Sequence, residues 1–215
     1  SEAEASYGQA IALKPDYAEA HNNKGNTLRG LGRLSEAEGC FNQAIALEPE
    51  YVMAHNNLGI TLQGLGRLSE AEASYGQAIA LKPDYAEAHN NLGVAVQALG
   101  RLSEAEASFN QAIALKPDYV EAHNNLGLAF AGLGQLSEAE ARFNQAIALK
   151  PDHAEAHNNL VNTLRGLGRL SEAEASYNQA IALKPDYAEA HNNLGNTLRG
   201  LGRLSEAEAS FKQAI

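Results

Sequence analysis

The stretch Tyr187-Ala-Glu-Ala-His-Asn-Asn-Leu-Gly-Asn-Thr-Leu-Arg-Gly-Leu-Gly-Arg-Leu-Ser-Glu-Ala-Glu208, which continues to Ile215, recurs in closely related form throughout the chain. The prolines mark the period, because all 6 prolines of this 215-residue sequence stand at one constant interval. A fixed period of this length, about 34 residues, is the signature of a tandem repeat array. The prolines are Pro15, Pro49, Pro83, Pro117, Pro151 and Pro185.

The period divides the chain into units, and we predict one continuous array over residues 1–215. Residues 1–16 are a half unit and residues 187–215 a nearly complete one. Because the sequence starts and stops inside units, we expect it to be a fragment of a longer protein. The complete units are residues 17–50, 51–84, 85–118, 119–152 and 153–186.

Each unit is predicted to contain two helices joined by a turn. Asp16, three residues before Glu19, has the pattern of a capping box at the start of the first helix. Gly32 has the pattern of a left-handed C-cap. A second capping box at Ser35–Glu38 opens the second helix, which ends ahead of Pro49. No stretch predicts a strand.

The apolar positions in each unit follow helical periodicity. On the second helix, Ala37, Phe41 and Ala44 fall within one stripe, and on the first helix Leu28 and His21 do the same. Each unit therefore has apolar surface that only the next unit can cover, and we expect the units to stack.

The 34-residue unit, with Leu-Gly in its first helix followed by Ala37, Phe41, Ala44 and Pro49, resembles the tetratricopeptide repeat. The resemblance covers the whole chain. It implies an all-α fold, a right-handed superhelical solenoid of helix–turn–helix repeats whose first helices line the concave face.

Three positions depart from the pattern of that family. His21 and its copies replace the usual large aromatic residue, and Lys24 replaces a core leucine. Val161 replaces the glycine at which the two helices come into close contact. We expect Val161 to widen the helix crossing in its own unit slightly.

Two asparagine columns follow the first helices, on or beside the face opposite the core stripe. An asparagine amide both donates and accepts, so it can pair with the main chain of an extended peptide whatever its side chains. Packed helices lie roughly 8–10 Å apart, which about three residues of extended chain span. The first column is Asn23, Asn57, Asn91, Asn125, Asn159 and Asn193, and the second is Asn22, Asn56, Asn90, Asn124, Asn158 and Asn192.

The first column resembles the asparagine ladder in the tetratricopeptide region of O-linked N-acetylglucosamine transferases, which holds acceptor peptides by their backbone. The alternatives are hydrogen bonding between repeats, favoured for the second column, and passive copying by duplication. A neighbouring column adds polar contacts at Asn26, Asn162 and Asn196, and a candidate pocket for an apolar ligand side chain at Ile60, Val94 and Leu128.

Charge and composition restrict the partners. The formal net charge is −10 and the pI is about 5.1, which disfavours a nucleic acid or an anionic membrane as the partner. No apolar run has the length of a membrane span. Cys40 is the only cysteine, so it cannot form an internal disulfide. The localisation stays open, with the cytoplasm slightly favoured.

We predict no catalytic residue, metal ligand or cofactor. His153 and His157 lie in the order His-Ala-Glu-Ala-His, which differs from the zinc-protease order His-Glu-x-x-His. The sequence therefore indicates a non-catalytic scaffold for protein–protein interaction that binds an extended peptide or disordered segment.

Three alternatives stay open beside that scaffold. The chain could be the substrate-recruiting arm of a larger glycosyltransferase. It could be an engineered or recently duplicated array without an evolved ligand. It could also associate end to end through apolar residues of its first and last helices, which are Tyr7, Ala10 and Ile11 at one end and Phe211, Ala214 and Ile215 at the other.

Overall fold

A computed structural model describes residues 2–215. All regular secondary structure in this range is α-helical, which confirms the predicted all-α fold. The helices are α1 (Glu2–Leu13), α2 (Ala18–Gly30), α3 (Leu34–Leu47), α4 (Val52–Gly64), α5 (Leu68–Leu81), α6 (Ala86–Ala98), α7 (Leu102–Leu115), α8 (Val120–Gly132), α9 (Leu136–Leu149), α10 (Ala154–Gly166), α11 (Leu170–Leu183), α12 (Ala188–Gly200) and α13 (Leu204–Gln213).

The helices form two compact units, one ending at Leu115 and the other beginning at Lys116. In each of these two compact units, the two helices of a 34-residue repeat pack against one another, as α2 does on α3 and α8 on α9. The second helix of a repeat then packs on the first helix of the next, as α3 does on α4 and α9 on α10. Each unit is therefore a stack of helix pairs. The prediction of one continuous array over residues 1–215 stays a prediction.

A glycine in the left-handed region follows each first helix. Gly32 has a φ of 75°, and its N–H donates to Arg29 O across 2.9 Å while the N–H of Arg33 donates to Leu28 O across 3.0 Å. These two bonds close a Schellman-type end, which confirms the predicted C-cap. A similar positive φ recurs at Gly66, Gly100, Gly134, Gly168 and Gly202.

The predicted capping boxes are wrong. Helix α2 begins after Tyr17, whose carbonyl oxygen accepts from the N–H groups of Ala20 and His21, so Asp16 lies outside the helix. Helix α3 likewise begins after Arg33, and Ser35 falls inside its first turn. Neither N-cap residue makes a side-chain cap hydrogen bond. At α3 the Arg33 side chain instead binds Glu36, with Nε 2.7 Å from Oε1.

The interior of each helix pair is formed by small residues packed around one aromatic ring. Ala37, Phe41 and Ala44 are fully buried in α3, as the periodicity predicts. A Cβ atom added at Gly25 would lie 2.7 Å from Cε1 of Phe41, so this position holds the helices at glycine distance. Val161 at the equivalent position is fully buried, and its effect on the helix crossing stays a prediction.

The histidine column has a structural partner that the sequence did not reveal. Nε2 of His21 lies 3.0 Å from the carbonyl oxygen of Pro15, so the ring fixes the first helix to the turn before it. A protonated Nε2 donates this bond. The equivalent bonds join His55 to Pro49, His89 to Pro83, His123 to Pro117, His157 to Pro151 and His191 to Pro185.

Candidate functional site

The candidate site is the polar side of the first helices, which we call the first-helix face. In the unit that ends at Leu115 it is formed by α2, α4 and α6, and in the unit that begins at Lys116 by α8, α10 and α12. Within each unit successive first helices contact one another, so the face continues from repeat to repeat.

The first asparagine column bonds to the second column of the preceding repeat. Neighbouring helix positions are about 100° apart, so one asparagine of each pair turns toward the next repeat and the other toward the face. We call the resulting amide-to-amide hydrogen bond the asparagine bridge. It runs from Nδ2 of Asn57 to Oδ1 of Asn22 (3.0 Å), from Asn91 to Asn56 (3.0 Å) and from Asn159 to Asn124 (3.1 Å).

The second column lies inside the packing between repeats. Five of its side chains are between 1% and 6% exposed, whereas Asn192 in α12 is exposed. A side chain buried to this extent can contact a ligand only if the helices move. The amides of Asn22, Asn56 and Asn124 instead accept hydrogen bonds from the neighbouring repeat. The buried members are Asn22, Asn56, Asn90, Asn124 and Asn158.

The first column keeps part of its hydrogen-bonding capacity. Each amide has two N–H groups and one carbonyl oxygen, and the bridge uses one N–H. Among residues 2–215, no side chain or main-chain group pairs with Oδ1 of Asn91 or of Asn159. Both residues are half-buried, as is Asn193. Oδ1 of Asn57 differs, because it accepts from Nη1 of Arg29 across 3.3 Å.

The bridge is replaced at the step from α10 to α12. Nδ2 of Asn158 donates to Oε1 of Glu189 across 3.1 Å, and a carboxylate is a stronger acceptor than an amide. Oδ1 of Asn158 is then buried without a hydrogen-bond partner among the residues that the structure describes. At the bridged steps the corresponding oxygens of Asn22, Asn56 and Asn124 accept a hydrogen bond instead.

The third polar column accepts hydrogen bonds from its own repeat. These oxygens are engaged before any ligand arrives. Oδ1 of Asn26 accepts from Nη2 of Arg29 (3.0 Å), Oδ1 of Asn196 from Nη2 of Arg199 (3.0 Å), and Oδ1 of Asn162 from the hydroxyl of Tyr177 (3.1 Å).

In two repeats a long polar side chain of the first helix contacts the buried aromatic residue of the second helix. The guanidinium carbon of Arg29 is 5.9 Å from the centroid of Phe41, and burial lowers the pKa of Arg29. Oε1 of Gln63 accepts from the hydroxyl of Tyr75 across 3.0 Å. Burial also raises the pKa of Tyr177 to about 12, so its hydroxyl remains a donor at neutral pH.

A cavity of about 240 Å³ opens on the first-helix face at Ala131, above the fully buried Phe143. We call it the Ala131 pocket. It contains three of the predicted site residues, Leu128, Asn159 and Asn162. Ile60 instead packs partly buried against the cluster around Leu62 and Tyr75, and Val94 is half-buried. The pocket is lined by Leu128, Ala131, Leu136, Phe143, Asn159, Asn162 and Thr163.

The second helices carry an ionic feature that the sequence analysis missed, which we call the Arg–Glu ladder. Arg67 binds Glu70 in its own helix (2.6 Å) and Glu38 in the preceding second helix (2.8 Å). The guanidinium of Arg67 holds the pKa of the Glu70 carboxyl below its usual value. The sequence contains a signal for these pairs, because Arg67 stands 3 residues before Glu70 and 29 residues after Glu38, and the same spacing recurs in other repeats. The other rungs are centred on Arg33, Arg101, Arg169 and Arg203.

No group of three or more His, Cys, Asp or Glu side chains in residues 2–215 is arranged to hold a metal ion. None of the described helices is long and apolar enough to cross a membrane. Cys40 is half-buried, and burial raises the pKa of its thiol.

Stacked 34-residue helix pairs with an open polar face define a helical repeat protein. Family models described as tetratricopeptide repeat match residues 16–84, 56–120, 97–154 and 130–180, and one described as TPR repeat matches residues 162–202. The chain belongs to the tetratricopeptide repeat proteins, which confirms the resemblance stated from its residues.

Solved structures share the fold. The chain matches the Cut9–Hcn1 hetero-tetramer of the APC/C with a TM-score of 0.86 and 18% identity, covering all of this chain and 42% of that one. For PilW, a type IV pilus biogenesis factor, the TM-score is 0.85, with 24% identity and 91% of both chains covered. For YrrB they are 0.67 and 23%, covering 86% of this chain and 95% of that one. A comparison with curated protein sequences gives no significant match.

Proposed function

We propose that the chain is a non-catalytic scaffold that binds an extended peptide or a disordered protein segment on its first-helix face, mainly through the peptide backbone. The observation that carries this proposal is an open amide oxygen on a half-buried asparagine in each compact unit, at Asn91 in the first and at Asn159 in the second. The tetratricopeptide fold supports the coarser statement, a role in protein interaction.

The asparagine bridge prepares these oxygens for a ligand. An unrestrained side chain loses rotamer entropy when it binds, and this loss weakens association. Asn91 and Asn159 already have one N–H held by Asn56 and Asn124, so their remaining groups keep a fixed direction. A preorganised carbonyl can accept from a peptide N–H with less of that loss.

In this proposal the two asparagine columns have different roles. The first column contacts the ligand, whereas the buried second column positions the first from inside the packing. Repeats roughly 8–10 Å apart would then contact an extended chain about every third residue. Contacts at this spacing hold the main chain and leave most ligand side chains free.

The relatives support this proposal at the level of the fold. The structure of YrrB is described as that of a tetratricopeptide repeat protein with an unusual peptide-binding site. The Cut9–Hcn1 structure is a hetero-tetramer, so a similar repeat fold there takes part in a protein complex.

The test is a pair of double variants measured against one set of peptides. Random nonapeptides are selected by phage display on the wild-type chain, and their affinities are determined by calorimetry. Each lost hydrogen bond is worth about 0.5–1.5 kcal/mol, and Asn91→Ala with Asn159→Ala removes one open oxygen from each compact unit. This double variant should therefore bind roughly two- to tenfold more weakly.

The matched control is Asn110→Ala with Asn144→Ala, since both residues are exposed asparagines on second helices. This control should bind with wild-type affinity. Equal affinity of both double variants, or failure to select any peptide, would reject the proposal. Melting temperatures measured alongside separate lost binding from lost folding.

A further inference from the structure

Two arginines on the first-helix face have no carboxylate partner, unlike those of the Arg–Glu ladder. Each ladder arginine binds two glutamates, as Arg169 binds Glu140 and Glu172. Arg165 in α10 and Arg199 in α12 form no ion pair within the part of the chain that the structure describes. The chain has 26 acidic and 16 basic side chains, so partners for these two cations are not scarce.

The two arginines belong to adjacent repeats and occupy the same position in each. Helices α10 and α12 contact one another, and packed helices lie roughly 8–10 Å apart. An arginine at this position can reach the neighbouring repeat, because Nη1 of Arg29 donates to Oδ1 of Asn57 across 3.3 Å. The guanidinium groups of Arg165 and Arg199 can therefore contact one ligand side chain bound between α10 and α12.

The asparagines beside these arginines offer donors. Oδ1 of Asn162 already accepts from the hydroxyl of Tyr177 (3.1 Å), and Oδ1 of Asn196 from Nη2 of Arg199 (3.0 Å). The Nδ2 groups of both asparagines make no hydrogen bond with the described residues. Asn162 is exposed and Asn196 half-buried. Guanidinium groups are also donors only. We call Asn162, Arg165, Asn196 and Arg199 the donor cluster.

The glutamates on the face of the same two helices lie too far away to neutralise this cluster. Glu155 and Glu189 stand ten residues before Arg165 and Arg199. At a rise of about 1.5 Å per residue this separation is about 15 Å, which exceeds the Debye length of about 8 Å at physiological ionic strength. Glu189 also accepts from Nδ2 of Asn158 across 3.1 Å. The donor cluster therefore keeps its positive charge for a ligand.

We propose that the donor cluster is a specificity subsite for an acidic side chain, aspartate or glutamate, of the bound peptide. The inference rests on the proposed function, because that peptide supplies the carboxylate. Asn159 lies three residues before Asn162 in α10 and keeps an open oxygen for a main-chain N–H of the same peptide. A carboxylate accepts about four hydrogen bonds, so it can satisfy guanidinium and amide donors together.

The chemistry of the cluster separates an acidic guest from the others. A lysine or arginine side chain would be repelled by two guanidinium groups. An aliphatic side chain would take the donors out of water without giving them an acceptor, which disfavours binding. A glutamine side chain has one acceptor oxygen and no charge, so it satisfies the donors only in part.

The other compact unit has no equivalent cluster. The arginine column continues there as Arg29, Gln63 and Gln97, of which only the first is charged. The guanidinium of Arg29 is half-buried and already donates to the side-chain oxygens of Asn26 and Asn57. The subsite therefore gives the first-helix face one acid-specific position, on α10 and α12.

The test uses five acetylated nonapeptides of Gly, Ser and Ala with a variable central residue. Four have an amidated C-terminus and carry glutamate, glutamine, alanine or lysine, and the fifth carries alanine and a free C-terminal carboxylate. In calorimetry at low salt we expect the wild-type chain to bind the glutamate peptide roughly three- to tenfold tighter than the amidated alanine peptide. High salt should reduce this ratio. The free carboxylate should add no affinity.

Two double variants test the arginines. Arg165→Gln with Arg199→Gln should bind the glutamate and alanine peptides equally, and Gln63 and Gln97 show that the repeat accepts glutamine in this column. Arg165→Glu with Arg199→Glu should reverse the order, so that the lysine peptide binds tighter than the glutamate peptide.

The matched control is Arg142→Gln with Lys150→Gln, which removes the same charge from the same compact unit outside its first helices. This control should keep the glutamate preference. A preference that survives in Arg165→Gln with Arg199→Gln, that is lost equally in the control, or that follows the terminal carboxylate would overturn the inference. The amidated alanine peptide reports on the proposed function separately. If it binds and the affinity ratios are flat, only the subsite fails, and if no peptide binds, both proposals fail.

Discussion

Asn56 lies between two repeats, and its amide oxygen accepts from Asn91 across 3.0 Å. The side chain is 5% exposed, so water cannot replace a partner that is removed. Leaving a buried acceptor unpaired costs more than the bond itself contributes, whereas removing both partners can be nearly neutral. The asparagine bridge is therefore a coupled pair in stability as well as in geometry.

This coupling gives a double-mutant prediction. Asn91→Leu alone should lower the free energy of unfolding by about 1–3 kcal/mol, and adding Asn56→Leu should recover part of that loss. Urea unfolding of the single variants and the double variant measures the coupling. Strictly additive losses would show that the two amides do not depend on one another.

Glycines at two positions should respond to the same substitution with opposite signs. A Cβ atom at Gly59 would lie 2.5 Å from Cε1 of Tyr75. Gly59→Ala should therefore destabilise the chain by about 1–3 kcal/mol through overpacking. Gly76 is helical and exposed, and nothing lies within 4 Å of such a Cβ. Gly76→Ala should stabilise the chain by about 0.5–1 kcal/mol. Thermal unfolding of both variants tests the pair, and equal signs would contradict it.

At the scale of the helix, the Arg–Glu ladder connects neighbouring second helices within each compact unit. The arginines are about 40% exposed and their in-helix glutamates between 57% and 59%. Solvent therefore screens these pairs, and each contributes little by itself. Any stabilisation by the ladder therefore comes from the repetition of these weak pairs along the second helices. Gln135 stands where the other repeats place arginine, so Glu138 lacks the in-helix arginine partner found in α3, α5, α7, α11 and α13.

The ladder predicts an acid-dependent loss of stability. Arginine lowers the folded-state pKa of Glu36, Glu70, Glu104, Glu172 and Glu206 below the ordinary value of 4.5. A carboxyl whose folded pKa is depressed contributes stability above its unfolded pKa and loses it as the pH falls through the folded pKa. The melting temperature should therefore decrease from about pH 5 toward about pH 3.

The control is a variant in which the five ladder arginines are replaced by glutamine. Its melting temperature should change less over the same pH range at low salt. An identical pH profile for the variant and the wild-type chain would contradict this account of the ladder.

Sequence reasoning succeeded where a local rule acts within one helix pair. The left-handed Gly32 and the stripe of Ala37 and Phe41 were predicted because each depends only on backbone geometry or periodicity. The capping boxes were wrong because neither Asp16 nor Ser35 is the N-cap residue. Helix α2 begins one residue later than predicted, and α3, where Arg33 binds Glu36, begins two residues earlier. The asparagine bridge could be named only as an alternative, since it depends on which way two adjacent amides turn.

At the scale of the whole chain, the composition sets limits that apply to both compact units. The acidic balance favours a peptide or protein partner over a polyanion. The Ala131 pocket could not be predicted from the sequence, because the sequence shows a small residue at one position but not the residues from other helices that surround it. The only sequence signal is that alanine at 131 stands where the other repeats have arginine or glutamine.

End-to-end association is the remaining whole-chain prediction. Leu204 of α13 is 65% exposed and Ile215 is fully exposed. This end therefore presents apolar surface that a second copy would cover. We expect the apparent mass in light scattering to rise with protein concentration, and Leu204→Glu with Ile215→Glu to reduce the rise. A constant mass of 22.8 kDa at all concentrations would exclude such association.

One position of the first helix varies in side-chain length from repeat to repeat, and this variation has an evolutionary consequence. The position is held by Arg29, Gln63, Gln97, Ala131, Arg165 and Arg199. Exchanging a short for a long side chain there changes the first-helix face without changing the buried aromatic ring or the turns. Duplication of one 34-residue repeat also copies the residue at this position. Arrays built from such repeats can therefore differ on the first-helix face while the residues that form each helix pair stay the same.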